Sequence, residues 1–164
     1  MCIRDRVYFY NKAAFDQLGL KVPTTSAELA EVAKKAAEQG KYALAFEPDE
    51  APNTLAGQAA AANAQWFSAE NDKWKVNVSS PETAKVSSFW QGVLDSKTAL
   101  VANRWDDSFG KALVDQQLIG TIGAAWEGAL LADTMKDSPN AGSWAVAQLP
   151  AFGDKAMSCL LYTS

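Results

Sequence analysis

The sequence predicts an α/β domain in which a mostly parallel sheet of four or more strands has helices on both faces. Short apolar and β-branched runs alternate along the chain with longer segments whose apolar residues recur every three or four positions. Turn-forming Gly, Pro, Asn and Asp residues separate the two kinds of segment, which is typical of helices packed against a sheet. With 164 residues, 48% of them hydrophobic, the chain is long enough to bury one core.

The first half of the chain alternates strand and helix signals. The runs "VYFYN" and "YALAF" predict strands, and "KAAFDQLGL" after the first of them has helical spacing. The clearest helix follows Thr25, which forms a capping-box pattern with Glu28 three residues later, and this helix is predicted to end at Gly40. The loop "EPDEAPNT" then leads into an Ala-rich helix.

The second half continues the same alternation. The segment "NDKWKVNV" predicts a turn and a strand, and a helix capped by Ser79 or Ser80 follows it. The apolar residues of that helix share one face, so Trp90 is expected in the core. "SFGKALVDQQ" and "WEGALLADTMK" predict helices, whereas "LIGTIG" and "GSWAVAQLP" predict strands. Trp74 and Trp144 lie in predicted strands and are also expected in the core.

The composition narrows the possible functions. A net charge of −4 without a long basic run argues against nucleic acid as a partner. The chain has no histidine, and Cys2 and Cys159 lack metal-ligand spacing, so we expect neither a metal ion nor another cofactor. No apolar run reaches the ~20 residues of a membrane-spanning helix.

The two ends do not match the pattern of their neighbours. Residues 1–6 and 158–164 resemble translated sequencing-adapter remnants, and we interpret them as non-native ends that pack poorly. Residues 7–157 are then the native domain. Under this interpretation both cysteines lie outside the natural protein, and the missing signal peptide carries no information about localisation.

Between those ends, the motif order resembles the extracellular solute-binding proteins of ABC importers, the mostly sugar-binding family that includes the maltose-binding protein. "VYFYNKAAFDQLGLKVPTTSAEL" is similar to the family pattern Y-Y-N-K-x-x-F-x-x-x-G-L-x-x-P-x-T-W-x-E-L, with Ser26 in place of the tryptophan. The segments "GKYALAF", "WKVN", "FWQGVLD", "GTIGAAW" and "WAVAQLP" follow in the family's order. The family has the type II periplasmic-binding-protein fold, in which two α/β lobes close on a ligand. Residues 7–157 correspond to most of the second lobe.

The resemblance implies a substrate-binding component of an ABC transporter. Such a protein captures an extracellular carbohydrate, here an oligosaccharide, and delivers it to ABC permease subunits in the membrane. The resemblance further implies a monomer without catalytic activity. It places the full-length protein outside the cytoplasm, in the periplasm or on the cell surface as a lipoprotein.

Trp126 is the leading candidate for contact with the sugar. It directly follows the strand "LIGTIG" at the start of a helix, with only the small Ala124 and Ala125 before it. Ligands of open α/β sheets bind beyond the carboxyl ends of the strands, and an aromatic ring there covers the C–H face of a sugar. In the family, the corresponding tryptophan stacks on the sugar. The alternative is a tryptophan that only packs within the lobe.

Other candidates lie in two loops, of which "EPDEAPNT" also follows a predicted strand. Trp105, in the loop "ANRWDD", is either a second stacking platform or part of a solvated turn. Asn53 and Thr54 either cap the next helix or donate to sugar hydroxyls. Glu47 is a weaker candidate in an acidic loop. Glu127 lies in the first turn of its predicted helix, where the helix dipole favours a carboxylate in any case.

Two other classes of function stay open at this point. A glycosidase would use two carboxylates at a defined separation, Glu127 with Asp106 or Asp107. A non-catalytic interaction module would use the apolar patches that an isolated lobe exposes. A sugar-binding protein changes its tryptophan fluorescence with the sugar and leaves the sugar intact, which distinguishes it from a glycosidase.

Overall fold

The computed structural model describes residues 6–153, in which helices and strands alternate as predicted for an α/β domain. The helices are α1 (Lys12–Gln17), α2 (Ser26–Glu38), α3 (Ala51–Ala61), α4 (Pro81–Asp95), α5 (Asp107–Val114) and α6 (Gly128–Met135). The strands are β1 (Arg6–Asn11), β2 (Ala45–Phe46), β3 (Phe67–Glu70), β4 (Lys73–Val76), β5 (Leu100–Val101), β6 (Gly120–Ala124) and β7 (Trp144–Gln148). A short 3-10 turn, Ala125–Glu127, joins β6 to α6.

The strand pairing is mainly antiparallel. Within residues 6–153, the largest sheet has three strands in the order β6-β1-β7, and β1 is antiparallel to both neighbours. β2 and β5 pair in parallel, and a parallel bridge between Tyr42 and Leu118 connects this pair to the segment that leads into β6. β3 and β4 form a separate antiparallel hairpin.

The prediction of a mostly parallel sheet with four or more strands is therefore wrong. Apolar runs indicate where strands lie, but they do not encode which strands pair or in which direction. Here β1 pairs with two strands from the far end of the chain, and both run against it.

Two apolar clusters lie on opposite sides of β1. Because side chains alternate along a strand, Tyr8 packs into one cluster and its neighbour Phe9 into the other. The first cluster includes buried side chains of α1, α2 and α4, and the second includes those of α5 and α6. Helices therefore cover both faces of β1, as the sequence predicts.

Local signals set the starts of two helices as expected. The Thr25 hydroxyl accepts a hydrogen bond from the Glu28 N–H at 3.2 Å. The Glu28 carboxylate accepts from the N–H and the hydroxyl of Thr24, at 2.7 and 2.8 Å, so this half of the capping box is shifted by one residue. These bonds hold the pKa of Glu28 below its usual range. Ser80 caps α4, and Pro81 occupies its first turn.

The burial of the tryptophans agrees with the sequence prediction for Trp90 but not for Trp74. Trp90 lies in the core as predicted, with 3% of its surface exposed, and its indole N–H donates to Gln58 Oε1 at 2.6 Å. Trp144 is partly buried. Trp74, expected in the core, is 78% exposed. The reason is that β3 and β4 pair only with each other, so one face of their hairpin lacks a packing partner among the described residues.

Arg6, which we expected to pack poorly with residues 1–5, is part of the fold. It pairs with Ala124 in the sheet, and its side chain, 9% exposed, forms ion pairs with Glu50 at 3.5 Å and Glu127 at 3.6 Å. Strand β1 extends through this position and so places the Arg6 side chain beside Glu50 and Glu127. The remaining predictions about the ends concern residues 1–5 and 154–164, which lie outside the described range. Within that range, no helix is both long and apolar enough to cross a bilayer.

Candidate functional site

The connections that follow β2, β5 and β6 meet at one edge of the domain. β2 and β5 run in parallel, and the parallel bridge of Tyr42 with Leu118 aligns the approach to β6 with them. The carboxyl ends of these strands therefore share an edge, which is where ligands of α/β sheets bind. The connections carry the predicted site residues Glu47, Trp105, Trp126 and Glu127, and the other two, Asn53 and Thr54, lie in the first turn of α3.

Arg104, which the sequence analysis did not single out, joins these connections. Its side chain is 2% exposed, and it donates from Nη1 to the Glu47 carboxylate and from Nη2 to the Glu127 carboxylate. Nη1 also donates to Thr121 Oγ1 at 3.1 Å. The Arg104 backbone N–H donates to both carboxylate oxygens of Asp49, at 3.0 and 3.1 Å. A single buried cation thus contacts all the connections at this edge.

The charges at this buried site compensate one another. Burial raises the pKa of the Glu47 carboxyl, and the guanidinium of Arg104 offsets only part of that rise. Arg6 supplies a second cation near Glu127, so two arginines face two buried glutamates. Removing one member of such a group leaves an uncompensated buried charge, which is strongly destabilising.

The small residues that precede Trp126 have a structural cause. A Cβ atom added to Gly123 would lie 2.6 Å from Arg104 Nη2 and 2.6 Å from Glu127 Oε2. Glycine therefore lets the ion pair approach the backbone of β6. The second carboxylate oxygen of Glu127 accepts from the Ala124 N–H at 2.9 Å, which ties the same carboxylate to the end of the strand.

We expect Gly123→Ala to lower the free energy of unfolding by about 1–3 kcal/mol, because the added methyl group must displace a buried ion pair. Urea denaturation of the chain measures the loss. Gly92→Ala is the matched control, since a Cβ there would meet nothing within 4 Å on α4 and alanine favours the helix. An equal stability of the Gly123→Ala variant and its parent would contradict the close approach.

Trp126 lies on the 3-10 turn with 56% of its surface exposed, in agreement with the predicted exposure. Glu127, the next residue, is 4% exposed and is held by Arg104 and by the Ala124 N–H. A buried anchor therefore fixes the backbone that carries an exposed ring. This arrangement leaves a face of the indole open to solvent in a defined position.

Trp105 is a second partly exposed ring, at 39% exposure, with a restrained backbone. Its φ of +68° lies in the left-handed region, which is costly for a bulky residue and persists only where the surroundings enforce it. The guanidinium carbon of Arg104 lies 5.0 Å from the centroid of the indole, and the ring of Phe109 packs edge-on at 5.9 Å. One side of Trp105 is thus supported by buried groups.

Neither Asn53 nor Thr54 caps a helix, so that alternative is wrong. Helix α3 already begins at Ala51, because Pro52 suits the first turn. Asn53 is exposed, and its amide donates to Glu50 at 3.3 Å. The Thr54 hydroxyl is buried without a hydrogen-bond partner among residues 6–153.

The two predicted acidic residues, Glu47 and Glu127, are buried and face Arg104. Asp106 and Asp107 are exposed at the start of α5. In the part of the chain that the structure describes, no group of three or more His, Cys, Asp or Glu side chains is arranged to hold a metal ion. The site therefore presents two aromatic rings above a buried ion-pair network.

Solved structures of sugar-binding proteins share this fold. The galacto-N-biose-/lacto-N-biose I-binding protein of the Bifidobacterium longum ABC transporter, in complex with lacto-N-biose, is 41% identical, with a TM-score of 0.83 over 89% of this chain and 36% of that one. An ABC transporter-associated binding protein from B. animalis subsp. lactis Bl-04, in complex with β-1,6-galactobiose, is 23% identical, with a TM-score of 0.76 over 90% and 37%. Maltose-bound T. maritima MalE3 is 17% identical, with a TM-score of 0.70 over 89% and 38%.

The chain spans little more than a third of the length of these relatives. No curated protein sequence gives a significant match. The family model for bacterial extracellular solute-binding proteins matches residues 4–162, nearly the whole chain. The chain therefore belongs to the bacterial extracellular solute-binding protein family.

Proposed function

We propose that residues 7–157, together with Arg6, form the second lobe of a type II periplasmic-binding-protein fold. The full-length protein is a monomeric substrate-binding component of an ABC transporter. It binds an oligosaccharide outside the cytoplasm, in the periplasm or as a surface lipoprotein, and delivers it to permease subunits. The observation that carries this proposal is the exposed ring of Trp126 beyond the carboxyl end of β6, directly before the buried anchor Glu127. Family membership supports it.

The chemistry of the edge suits a carbohydrate. A sugar has flat C–H faces bordered by hydroxyl groups, so a binding site combines aromatic faces with a few polar groups. Trp126 supplies the main stacking face and Trp105 the second. The exposed amide of Asn53 supplies donors and an acceptor for hydroxyl groups, whereas the Thr54 hydroxyl is buried and we assign it no contact with the sugar.

Glu47 and Glu127, which the sequence analysis placed among the sugar contacts, have a different role in this proposal. Both carboxylates are buried against Arg104. We therefore assign them to the support of the two rings. Their contribution to sugar affinity is then indirect, through the positions of the connections that carry Trp105 and Trp126.

We expect Trp126→Ala to weaken sugar binding by about 2 kcal/mol or more, as for a buried aromatic anchor at an interface. This corresponds to about thirtyfold in Kd. The measurement is titration calorimetry in a two-lobed protein in which this chain replaces the matching lobe of the B. longum relative. Lacto-N-biose is the probe, because the relative that is 41% identical was solved with it.

The control for this experiment is Trp74→Ala, which removes an equally large ring that is 78% exposed on the β3–β4 hairpin. We expect its sugar affinity to match the parent. The Trp126→Ala variant should also keep most of its folding stability, since more than half of the ring is exposed before sugar binds. An unchanged affinity of Trp126→Ala would remove the main support for the proposed site.

The glycosidase alternative has less support. Glu127 is buried, and its carboxylate is bound by Arg6, Arg104 and the Ala124 N–H rather than facing a substrate. Its proposed partners, Asp106 and Asp107, are solvent-exposed. Chromatography of lacto-N-biose after prolonged incubation with the two-lobed protein separates the alternatives. We expect intact disaccharide, whereas released monosaccharides would favour an enzyme.

A further inference from the structure

We propose that Arg104 is a positioning residue that fixes Trp105 and Trp126 relative to each other for sugar stacking. This inference rests on the proposed function and concerns a residue that need not touch the sugar. Among the ion pairs of residues 6–153, the pair of Arg104 with Glu127 connects the segment after β5 with the turn after β6. These are the segments that carry the two rings.

The contact with Trp105 is direct. The guanidinium carbon lies 5.0 Å from the centroid of the Trp105 ring and 4.8 Å from that of Phe109, within the range of attraction between a cation and an aromatic face. Trp105 is also the next residue in the chain, and its left-handed backbone conformation needs support from its surroundings. Arg104 supplies that support from below the ring.

The contact with Trp126 passes through one carboxylate. Arg104 Nη2 donates to Glu127, the residue directly after Trp126, and the other oxygen of Glu127 accepts from the Ala124 N–H at 2.9 Å. The residues on both sides of this short turn are therefore held. The guanidinium is planar and rigid. A guanidinium that binds Glu127 therefore also has a fixed position under the Trp105 ring.

Thr121 completes the geometry from inside the sheet. Its hydroxyl accepts from Arg104 Nη1 at 3.1 Å and donates to Glu47 Oε1 at 3.0 Å. The planar guanidinium of Arg104 thus donates hydrogen bonds to two carboxylates and one hydroxyl. A lysine in its place would keep the charge but could not bind both carboxylates in this geometry.

The test uses Arg104→Lys in the two-lobed protein, with 5-fluorotryptophan incorporated and the Trp105 and Trp126 resonances assigned by Trp→Phe variants. We expect the fluorine resonances of both rings to shift and broaden, while those of Trp90 and Trp74 stay unchanged. We expect lacto-N-biose to bind about tenfold more weakly, as for coupled residues in one network.

The matched control is Leu29→Ala, which removes a fully buried side chain of α2 and destabilises the lobe away from the site. It should leave the affinity and both resonances as in the parent. If Arg104→Lys fails to fold, Thr121→Val decides the question, because it keeps every charge and removes only the hydroxyl. For that variant we expect a loss of about threefold in affinity, with the same two resonances affected.

The outcomes separate this inference from the proposed function. A folded Arg104→Lys or Thr121→Val variant with parental affinity and parental resonances overturns the role of Arg104. Weaker binding with both resonances unchanged also overturns it, because Arg104 would then act by direct contact with the sugar. A parent protein that binds no lacto-N-biose counts against the proposed function with this sugar, whereas the fluorine spectra still report whether Arg104 holds the two rings.

Discussion

Replacement of Trp90 by alanine is expected to lower the free energy of unfolding by about 3–5 kcal/mol, the range for large-to-small changes in a core. Trp90 is 3% exposed, and its ring packs against Phe46 at 5.2 Å and Phe89 at 5.5 Å between centroids. The substitution leaves a cavity at this point. It also removes the indole N–H that donates to the side-chain oxygen of Gln58, and this oxygen is then left without its donor in a fully buried residue.

Urea denaturation of the 164-residue chain measures this loss. Trp74→Ala is the control, because the same residue type is removed from an exposed hairpin, and we expect it to change the stability by no more than about 0.5 kcal/mol. Similar losses of unfolding free energy in the two variants would show that the face of α4 that carries Trp90 is not part of the core. In the two-lobed protein, Trp90→Ala should affect sugar affinity far less than Trp126→Ala does.

Arg104→Met is expected to destabilise the chain by about 3–5 kcal/mol, because it leaves buried carboxylates without their main cation. Glu127 keeps Arg6 at 3.6 Å, whereas Glu47 has no second ion-pair partner within residues 6–153. Adding Glu47→Gln to Arg104→Met removes the uncompensated charge. We therefore expect the double variant to regain at least about 1 kcal/mol.

The pH dependence of the Arg104→Met variant provides an independent check. Burial raises the pKa of Glu47 in the parent, and Arg104 opposes that rise, so the pKa rises further when the arginine is removed. The folded variant then binds a proton that the unfolded chain has already released. Its stability should consequently decrease, relative to the parent, as the pH rises from the ordinary pKa of a glutamate carboxyl to the raised pKa of Glu47. A constant difference over this interval would contradict an unpaired, buried Glu47.

Several features of the fold were predictable because their causes are local. The Thr25 hydroxyl caps α2 because Glu28 presents its backbone N–H three residues later, within the same turn. The burial of Trp90 follows from the helical spacing of its apolar neighbours. The exposure of Trp126 follows from its place after a strand and among small residues. Its role in sugar binding stays a prediction.

Trp74 shows the limit of such local patterns. Its strand was correctly located, but a core position was inferred from the strand alone. Burial also requires a second layer, and the β3–β4 hairpin pairs with no third strand among the described residues. The predicted parallel sheet failed for a related reason, since the direction of each strand relative to its partner is a property of the whole chain path.

By itself, the sequence determined the family, the alternation of helices and strands, and the position of Trp126 at a strand end, because motif order, periodicity and helix caps depend on neighbouring residues. Only the tertiary structure decided that β1 has antiparallel partners on both sides and that Arg104 is the centre of the site. Arg104 lies 57 residues from Glu47 and 23 from Glu127 in the sequence, where nothing distinguishes it from a solvated surface arginine. Folding brings these charges together away from water, where an unpaired charge is strongly destabilising, and this pairing is the basis of the proposed role of Arg104 in positioning Trp105 and Trp126.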